Sequence, residues 1–251
     1  MLNARMIGAI FNRFSPQNFK GCHHQPCICK MYNCHTQPLS RFLKYSVSAM
    51  LSLLLCTEVI QAQTDFAPGQ IMFTGYDSDD ADAFSFVILT DVLDGTVIYI
   101  TDRGWSNTSG FRDDTDGEGT ISFEFTADFP CGSVFVFRDI GASPNFWQAT
   151  DAYGVSTGVV VIQAGGDING MELSTNGDQL FIYQLPTPTS GSQGSFVAMM
   201  QMSNFYFAPL DNDNESQIPN SGLTADDVVR FNTEVDNAIY DCSPNVGTAT
   251  V

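Results

Sequence analysis

The sequence predicts an all-β protein, an antiparallel β-sandwich of eight or more strands, over residues 63–251. This part of the chain is rich in Phe, Val, Ile, Tyr and Thr, side chains that favour a pleated, half-buried surface. They occur in short apolar runs, and Gly, Asp and Asn turns separate one run from the next. No fixed repeat period is present, which argues against a propeller or a solenoid.

Eight apolar runs give the predicted strands. In the second run Phe84, Phe86 and Ile88 share one face. Asp94-Gly95 follows this run and predicts a hairpin to the third, because tight primed turns require positive φ. Asn176-Gly177 predicts a turn before the seventh. The eight runs are residues 70–76, 83–92, 96–101, 120–125, 133–138, 158–163, 179–184 and 195–202.

Two segments, 86–89 and 159–162, are apolar on both faces of the predicted strand. Such segments suit central strands that are covered on both sides, or strands whose outer face meets another domain. Helix signals are weak: only residues 224–235 begin with a cap-like Thr224 and early acids, and their apolar spacing is poor.

The first 62 residues are expected to lie outside the fold. Arg41 and Lys44 precede a short apolar run that reaches Cys56, and Ala62 offers a cleavage site, so residues 41–62 are predicted to be a signal peptide. The apolar run is shorter than the roughly 20 residues that span a bilayer. Residues 1–40 are interpreted as a non-native or disordered extension, and the β-sandwich domain occupies residues 63–251.

The charge of residues 63–251 restricts the function. Four arginines stand against 22 Asp and 5 Glu, a formal charge of −23, and there is no His or Lys. A Ser-His-Asp triad and a His-ligated zinc site are therefore excluded from this segment. An acidic surface repels phosphate, so neither nucleic acid nor an anionic membrane is an expected partner. We expect no enzyme activity.

The carboxylates favour hard cations bound through oxygen, and Ca²⁺ is the predicted cofactor. Asp114, Asp116 and Glu118 occupy positions 1, 3 and 5 of a loop with Gly119 at position 6, as in a calcium loop. Phe125 stands where position 12 should be Glu, so the loop is not an EF-hand. The alternative is that this loop and the acidic loops at 77–82 and 211–215 are solvated turns.

Two cysteines remain after the predicted signal peptide. Cys131 and Cys242 can form a disulfide in an oxidising compartment. Trp105, together with the aromatic residues of 196–207, can form either a sugar-stacking face or part of a sandwich core, and core packing is the more common use of such residues.

Several motifs resemble, in the same order, a recurrent module of exported bacterial proteins. They are PGQIMFTGYDSD (68–79), FSFVILTD (84–91), GTVIYITDRGW (95–105), EGTI (118–121), NGDQL (176–180) and DNAIY (236–240). The resemblance implies an extracellular sandwich, distantly like lamin-tail Ig folds. The strand order that we expect of the sandwich is Ig-like or jelly-roll-like. Gln70 departs from the acid usual at that position. Similar modules continue past DNAIY, so we expect the domain to be incomplete at its C-terminal end.

These observations predict a secreted or cell-surface protein that acts as a non-catalytic binding or adhesion module stabilised by calcium. Its expected partners are carbohydrate or another surface protein. One alternative is a structural spacer in a larger surface protein. Another is a carboxylate-based glycan hydrolase, which would need a carboxyl group with a raised pKa in a cleft.

Overall fold

The computed structural model describes residues 63–79, 81–112, 118–140, 147–162, 171–189, 195–202, 215–220, 222–231 and 233–240. Within these ranges the secondary structure is entirely β. The strands are β1 (Ile71–Asp77), β2 (Ala83–Ile88), β3 (Val97–Thr101), β4 (Trp105–Ser106), β5 (Gly110–Phe111), β6 (Thr120–Phe125), β7 (Val134–Asp139), β8 (Trp147–Asp151), β9 (Gly158–Ile162), β10 (Gln179–Gln184), β11 (Ser195–Gln201), β12 (Val228–Arg230) and β13 (Asn237–Ile239).

Two sheets form a β-sandwich, as the sequence predicts. The five-stranded sheet has the order β13-β1-β2-β7-β8, and the six-stranded sheet has the order β12-β11-β10-β3-β6-β9. Neighbouring strands are antiparallel except for β11 and β12, which pair in parallel. The inward faces of both sheets meet in one core, to which the first sheet contributes Phe84 and Phe137 and the second Ile100 and Phe123.

Phenylalanine rings dominate the centre of this core. The ring of Phe137 stacks on that of Phe84, with centroids 4.8 Å apart and planes 5° from parallel. Phe123 reaches across from the opposite sheet and meets the Phe137 ring edge-on, with centroids 5.0 Å apart. Stacked and edge-on contacts of this kind add to the hydrophobic gain from burying the rings.

A bulge in β1 sets which side chains face the core. The register opposite β2 shifts by one residue between Phe73 and Gly75, so Thr74 is the additional residue. Phe73 and Tyr76 are three positions apart, yet both are buried. The hydroxyl of Thr74 lies 2.9 Å from that of Ser85 on β2, which fixes the bulge to its neighbouring strand.

A second apolar cluster lies on the outer face of the six-stranded sheet. Phe181 and Phe196 alternate with the residues of β10 and β11 that enter the main core, so they point to the other side. The β4–β5 hairpin covers them with Trp105 and Phe111, whose ring centroids are 5.0 Å apart. The centre of this sheet is therefore buried on both faces.

The hairpin predicted at Asp94-Gly95 was wrong. The turn itself forms, with Gly95 at φ 78°, but it connects strands of different sheets. Residues 159–162 belong to an edge strand, so they are not a covered central strand, and the alternative of an outer face that meets another domain stays a prediction. The weak helical signal at 224–235 corresponds to a Thr224–Asp227 turn and the short strand β12.

The predicted extension and signal peptide, residues 1–62, lie outside the described residues. Within the part of the chain that the structure describes, no helix is long and apolar enough to cross a membrane.

Candidate functional site

A groove lies at the edge of the sandwich, where β1 and β13 face β12. It encloses about 620 Å³, a volume within the usual range for ligand pockets. Its lining is mainly apolar, and Met72, Val228 and Ile239 are half-buried there, with part of each side chain accessible. The lining residues are Gly69, Ile71, Met72, Phe73, Thr74, Gly75, Leu89, Met200, Asp226, Asp227, Val228, Val229, Arg230, Phe231, Thr233, Ala238, Ile239 and Tyr240.

Among the described lining residues, charged groups occur only on the β12 side of the groove. Asp226 and Arg230 are exposed there. Asp227 is held in place, because its Oδ2 accepts the N–H and the hydroxyl of Thr224 at 2.8 and 2.7 Å. Its Oδ1 would lie 2.5 Å from a Cβ at Gly69, which has φ of +76°. Glycine at position 69 therefore allows β1 and the β12 segment to approach closely.

A second feature is a group of buried carboxyls at one end of the sandwich. Three consecutive backbone N–H groups each donate to a different aspartate: Glu172 to Asp102 at 3.0 Å, Leu173 to Asp82 at 2.7 Å and Ser174 to Asp178 at 3.1 Å. Each aspartate adjoins a strand, since Asp82 precedes β2, Asp102 follows β3 and Asp178 precedes β10. The three strand ends thus hold the 172–174 segment.

Burial raises the pKa values of all three carboxyls. Loss of hydration raises the pKa of Asp82 to about 7, and the nearby charge of Asp139 adds to the rise. Burial raises the pKa of Asp102 to about 8, although its bond from the Gly119 N–H, at 2.6 Å, acts in the opposite direction. Burial and the neighbouring Asp102 raise the pKa of Asp178 well above its usual value.

Tyr76 belongs to the same region. Its hydroxyl donates to the Ser174 carbonyl at 3.3 Å. Burial, reinforced by the charge of Asp178, raises its pKa well above the ordinary value for tyrosine, so it remains a neutral donor.

The buried carboxyls and the groove are separate features. Asp102 and Asp178 are almost completely inaccessible to solvent, and none of the three aspartates lines the groove. Their oxygens are used by backbone N–H groups, which makes them anchors for a loop. Asp82 is only half-buried and is the member of the group that solvent can reach.

Of the predicted calcium ligands, the structure places only Glu118. Asp114 and Asp116 lie outside the described residues, as do Asp80 of the first acidic loop and Asp211 and Asp213 of the third. Glu118 is buried, next to Gly119, whose N–H binds Asp102. Among the described residues, no group of three or more His, Cys, Asp or Glu is arranged to hold a metal ion.

The structure gives Cys131 as disulfide-bonded. Its backbone N–H donates to Oδ1 of Asp91 at 2.9 Å. Cys242 lies outside the described residues, so its pairing with Cys131 stays a prediction.

Trp105 and Phe196 are completely buried in the outer cluster. They cannot stack against a sugar in this arrangement, and the core interpretation of these two residues is the correct one. Residues 203–207 lie outside the described ranges.

Sequence reasoning missed both the groove and the buried carboxyls. A sequence signal for the buried carboxyls existed, because each of the three aspartates directly adjoins a predicted strand. At the end of a strand, a neighbouring loop can cover a carboxyl group. No such local signal exists for the groove, which residues far apart in the chain create.

No family model, curated protein or solved structure matches this chain.

Proposed function

We propose that this protein is an exported, non-catalytic binding or adhesion module and that its ligand site is the groove between β1 and β12. The observation that carries the proposal is the groove itself: an accessible, mainly apolar cavity of about 620 Å³ with its charged groups on one side only. Apolar walls with a few placed polar groups are the usual form of a ligand pocket.

Binding fits the groove better than catalysis. Its ionisable side chains are Asp226, Asp227, Arg230 and Tyr240, and the carboxyls with raised pKa values lie elsewhere. Residues 63–251 contain no His or Lys, the commonest general base and the usual Schiff-base nucleophile.

The proposed partners are carbohydrate or another surface protein, in a secreted or cell-surface setting. The proposal includes calcium bound by Asp114, Asp116 and Glu118, because bound divalent ions would relieve the self-repulsion of a domain with a formal charge of −23. A spacer domain in a larger surface protein would have no ligand in the groove, and this difference separates the two functions.

A glycan array and a peptide array test the proposal together. We expect the purified protein to bind members of one array and to lose that binding in Met72→Trp, because the larger ring fills the groove. Leu93→Trp is the matched control, since Leu93 is exposed and does not line the groove. If neither array shows binding, the spacer function is favoured. If Met72→Trp binds as strongly as the wild type does, the groove is not the ligand site.

One observation favours the hydrolase as a second candidate function. Asp82 is half-buried, and burial raises its pKa to about 7, a value that suits a general acid. It ranks below binding because Asp82 lies outside the groove and its Oδ2 already accepts the Leu173 N–H. If the wild type releases para-nitrophenol from aryl glycosides and Asp82→Asn does not, hydrolysis would rank above binding as the function of this protein.

A further inference from the structure

Half of the exposed large hydrophobic side chains in the described part of the chain lie in one short segment. Four of the large hydrophobic side chains that are most accessible to solvent lie between residues 153 and 161. They are Tyr153, 68% exposed, Val155, 61% exposed, Val159, 51% exposed, and Val161, 50% exposed. The first two belong to the β8–β9 turn, and the other two lie on the outer face of β9.

This segment carries no charge, although the domain around it is strongly acidic. Residues 152–162 contain no Asp, Glu, Lys or Arg. The preceding Asp151 turns its carboxylate into the β8–β9 turn, where Oδ1 accepts the N–H groups of Tyr153 and Val155 at 2.8 and 2.9 Å. The nearest exposed carboxylate on the adjoining strand is Glu124, opposite Val159 on β6.

The β9 strand is also an edge. It pairs with β6 on one side, and among the described residues no strand pairs with its other side. Natural sheets usually protect such edges with charged side chains, proline or a bulge. The β9 sequence, Gly-Val-Val-Val-Ile, contains no charged residue and no proline. Its register with β6 is unbroken, so β9 has no bulge.

We propose that the β9 edge binds the same edge of a second copy of this chain, antiparallel and centred on Val160, so that the two six-stranded sheets become continuous. In this pairing Val159 lies opposite Val161 of the partner subunit, and the reverse holds by symmetry. Cross-strand pairs of β-branched side chains stabilise such a contact.

The chemistry of the edge selects a second copy over other partners. A cationic partner would gain little here, because residues 152–162 contain no acid and β6 adds only the Glu124 carboxylate beside the strip. The surface that complements the β9 edge is another uncharged strand with valines on the same face. The β9 strand of a second copy is such a strand. The two-fold contact uses the β9 edge of each copy, so this contact by itself closes at a dimer.

Electrostatics predict how the dimer responds to salt. Each copy brings a formal charge of −23 in residues 63–251, and this repulsion opposes association at low ionic strength. The Debye length falls from about 30 Å at 0.01 M salt to about 3 Å at 1 M, so salt removes most of the repulsion while the valine contacts remain. The dimer therefore strengthens as salt is added.

Sedimentation equilibrium from 0.02 to 1 M NaCl tests this proposal. We expect a monomer–dimer equilibrium whose association constant rises at least tenfold over this range. Val161→Lys should remain monomeric throughout, because it removes the contact with Val159 of the partner subunit and pairing would strip water from a charged side chain, a cost that salt does not remove. Leu93→Lys is the matched control, with the same change in charge at an exposed site away from β9, and it should dimerise at least as well as the wild type.

A wild type that stays monomeric at 1 M salt would overturn the proposal, as would dimerisation of Val161→Lys to the wild-type extent, or growth beyond a dimer. Amide exchange of residues 159–161 in the wild type gives an independent readout that does not depend on a variant folding. It should slow as the protein concentration rises at 1 M salt, and exchange that is independent of concentration would also overturn the proposal.

Discussion

Asp102 and Glu172 lie 70 residues apart in the chain, and Oδ2 of the aspartate accepts the backbone N–H of Glu172 at 3.0 Å. The other oxygen accepts the N–H of Gly119 at 2.6 Å. One buried side chain thus joins the end of β3 to two loops. A carboxyl oxygen keeps a lone pair for such a bond whether or not the group is protonated, whereas an amide nitrogen does not.

Asp102→Asn should therefore destabilise the protein. Its amide nitrogen must face either Gly119 or Glu172, which leaves one buried N–H without an acceptor and costs about 1–3 kcal/mol of unfolding free energy. Asp82→Asn is the control, because among the described residues only Oδ2 of Asp82 accepts a hydrogen bond, from the Leu173 N–H, and an asparagine oxygen can replace it. Urea unfolding at pH 5 measures both variants, and equal stabilities for the two would contradict the two-acceptor role of Asp102.

Stability should fall as the pH rises from about 5 to 8. The folded-state pKa values of Asp82, about 7, and Asp102, about 8, lie above the roughly 3.9 of an unfolded aspartate. The folded state then holds more protons in this window, so the stability present below the unfolded pKa is lost as pH rises through the folded values. Urea midpoints at pH 5 and pH 8 in 0.5 M NaCl measure the loss.

The variant Asp82→Asn isolates one part of this pH dependence. It should lose less stability than the wild type between pH 5 and pH 8, because the asparagine does not ionise. A wild type that is equally or more stable at pH 8 would show that these carboxyls are not held in a desolvated environment.

Phe137→Ala should be among the most damaging core substitutions. Its ring is completely buried between Phe84, Phe86 and Phe123. Removal leaves a cavity that costs about 3–5 kcal/mol. Leu93→Ala, at an exposed side chain, should change the unfolding free energy by less than about 0.5 kcal/mol. A loss below about 1 kcal/mol for Phe137→Ala in denaturant unfolding would contradict the described core.

Gly158 should not tolerate alanine. A Cβ at this position would overlap the ring of Phe123 and the carbonyl oxygen of Glu124. Relieving this overlap requires movement of β9 against β6, at a cost of about 1–3 kcal/mol. The exposed neighbour Ser156→Ala is the control. If thermal unfolding gives the two variants the same stability, β9 does not pack as closely on β6 as described.

Calcium should raise the melting temperature if the proposed ligands bind it. Saturation to 100 times Kd contributes about 2.7 kcal/mol. We expect a saturable rise in calcium relative to EDTA at fixed ionic strength, without an equal rise in magnesium. Asp114→Asn/Asp116→Asn should abolish it, and Asp65→Asn/Asp226→Asn, with the same loss of charge, should not. No difference between calcium and EDTA would remove calcium from the proposal.

Local pattern predicted eight of the thirteen described strands but not how they pair. Alternation placed Phe84 and Phe86 on a core face correctly, because period two is a property of each strand alone. The Asp94-Gly95 pair predicted its turn for the same reason. It did not predict that β2 and β3 enter different sheets, since that depends on β7 and β10, which lie far along the chain.

Local pattern also did not predict the buried carboxyls, because their burial depends on residues far apart in the chain. In the sequence, Asp82, Asp102 and Asp178 each adjoin a predicted strand, but no local pattern shows that one distant loop covers all three. They become buried because the 172–174 segment folds over them, and two of the three bonds join residues 70 and 91 positions apart. The short strands β4, β5, β12 and β13 were missed because two or three residues carry too little alternation to be recognised, and the five-residue β8 was missed as well.

The bulge at Thr74 has a consequence for changes in chain length. In a regular strand, removing one residue turns every later side chain to the opposite face. In β1, removal of Thr74 would leave Phe73 and Tyr76 two positions apart, so both would still face the core. A related strand that is one residue shorter would therefore align with a gap at position 74, inside a buried strand and not in a loop.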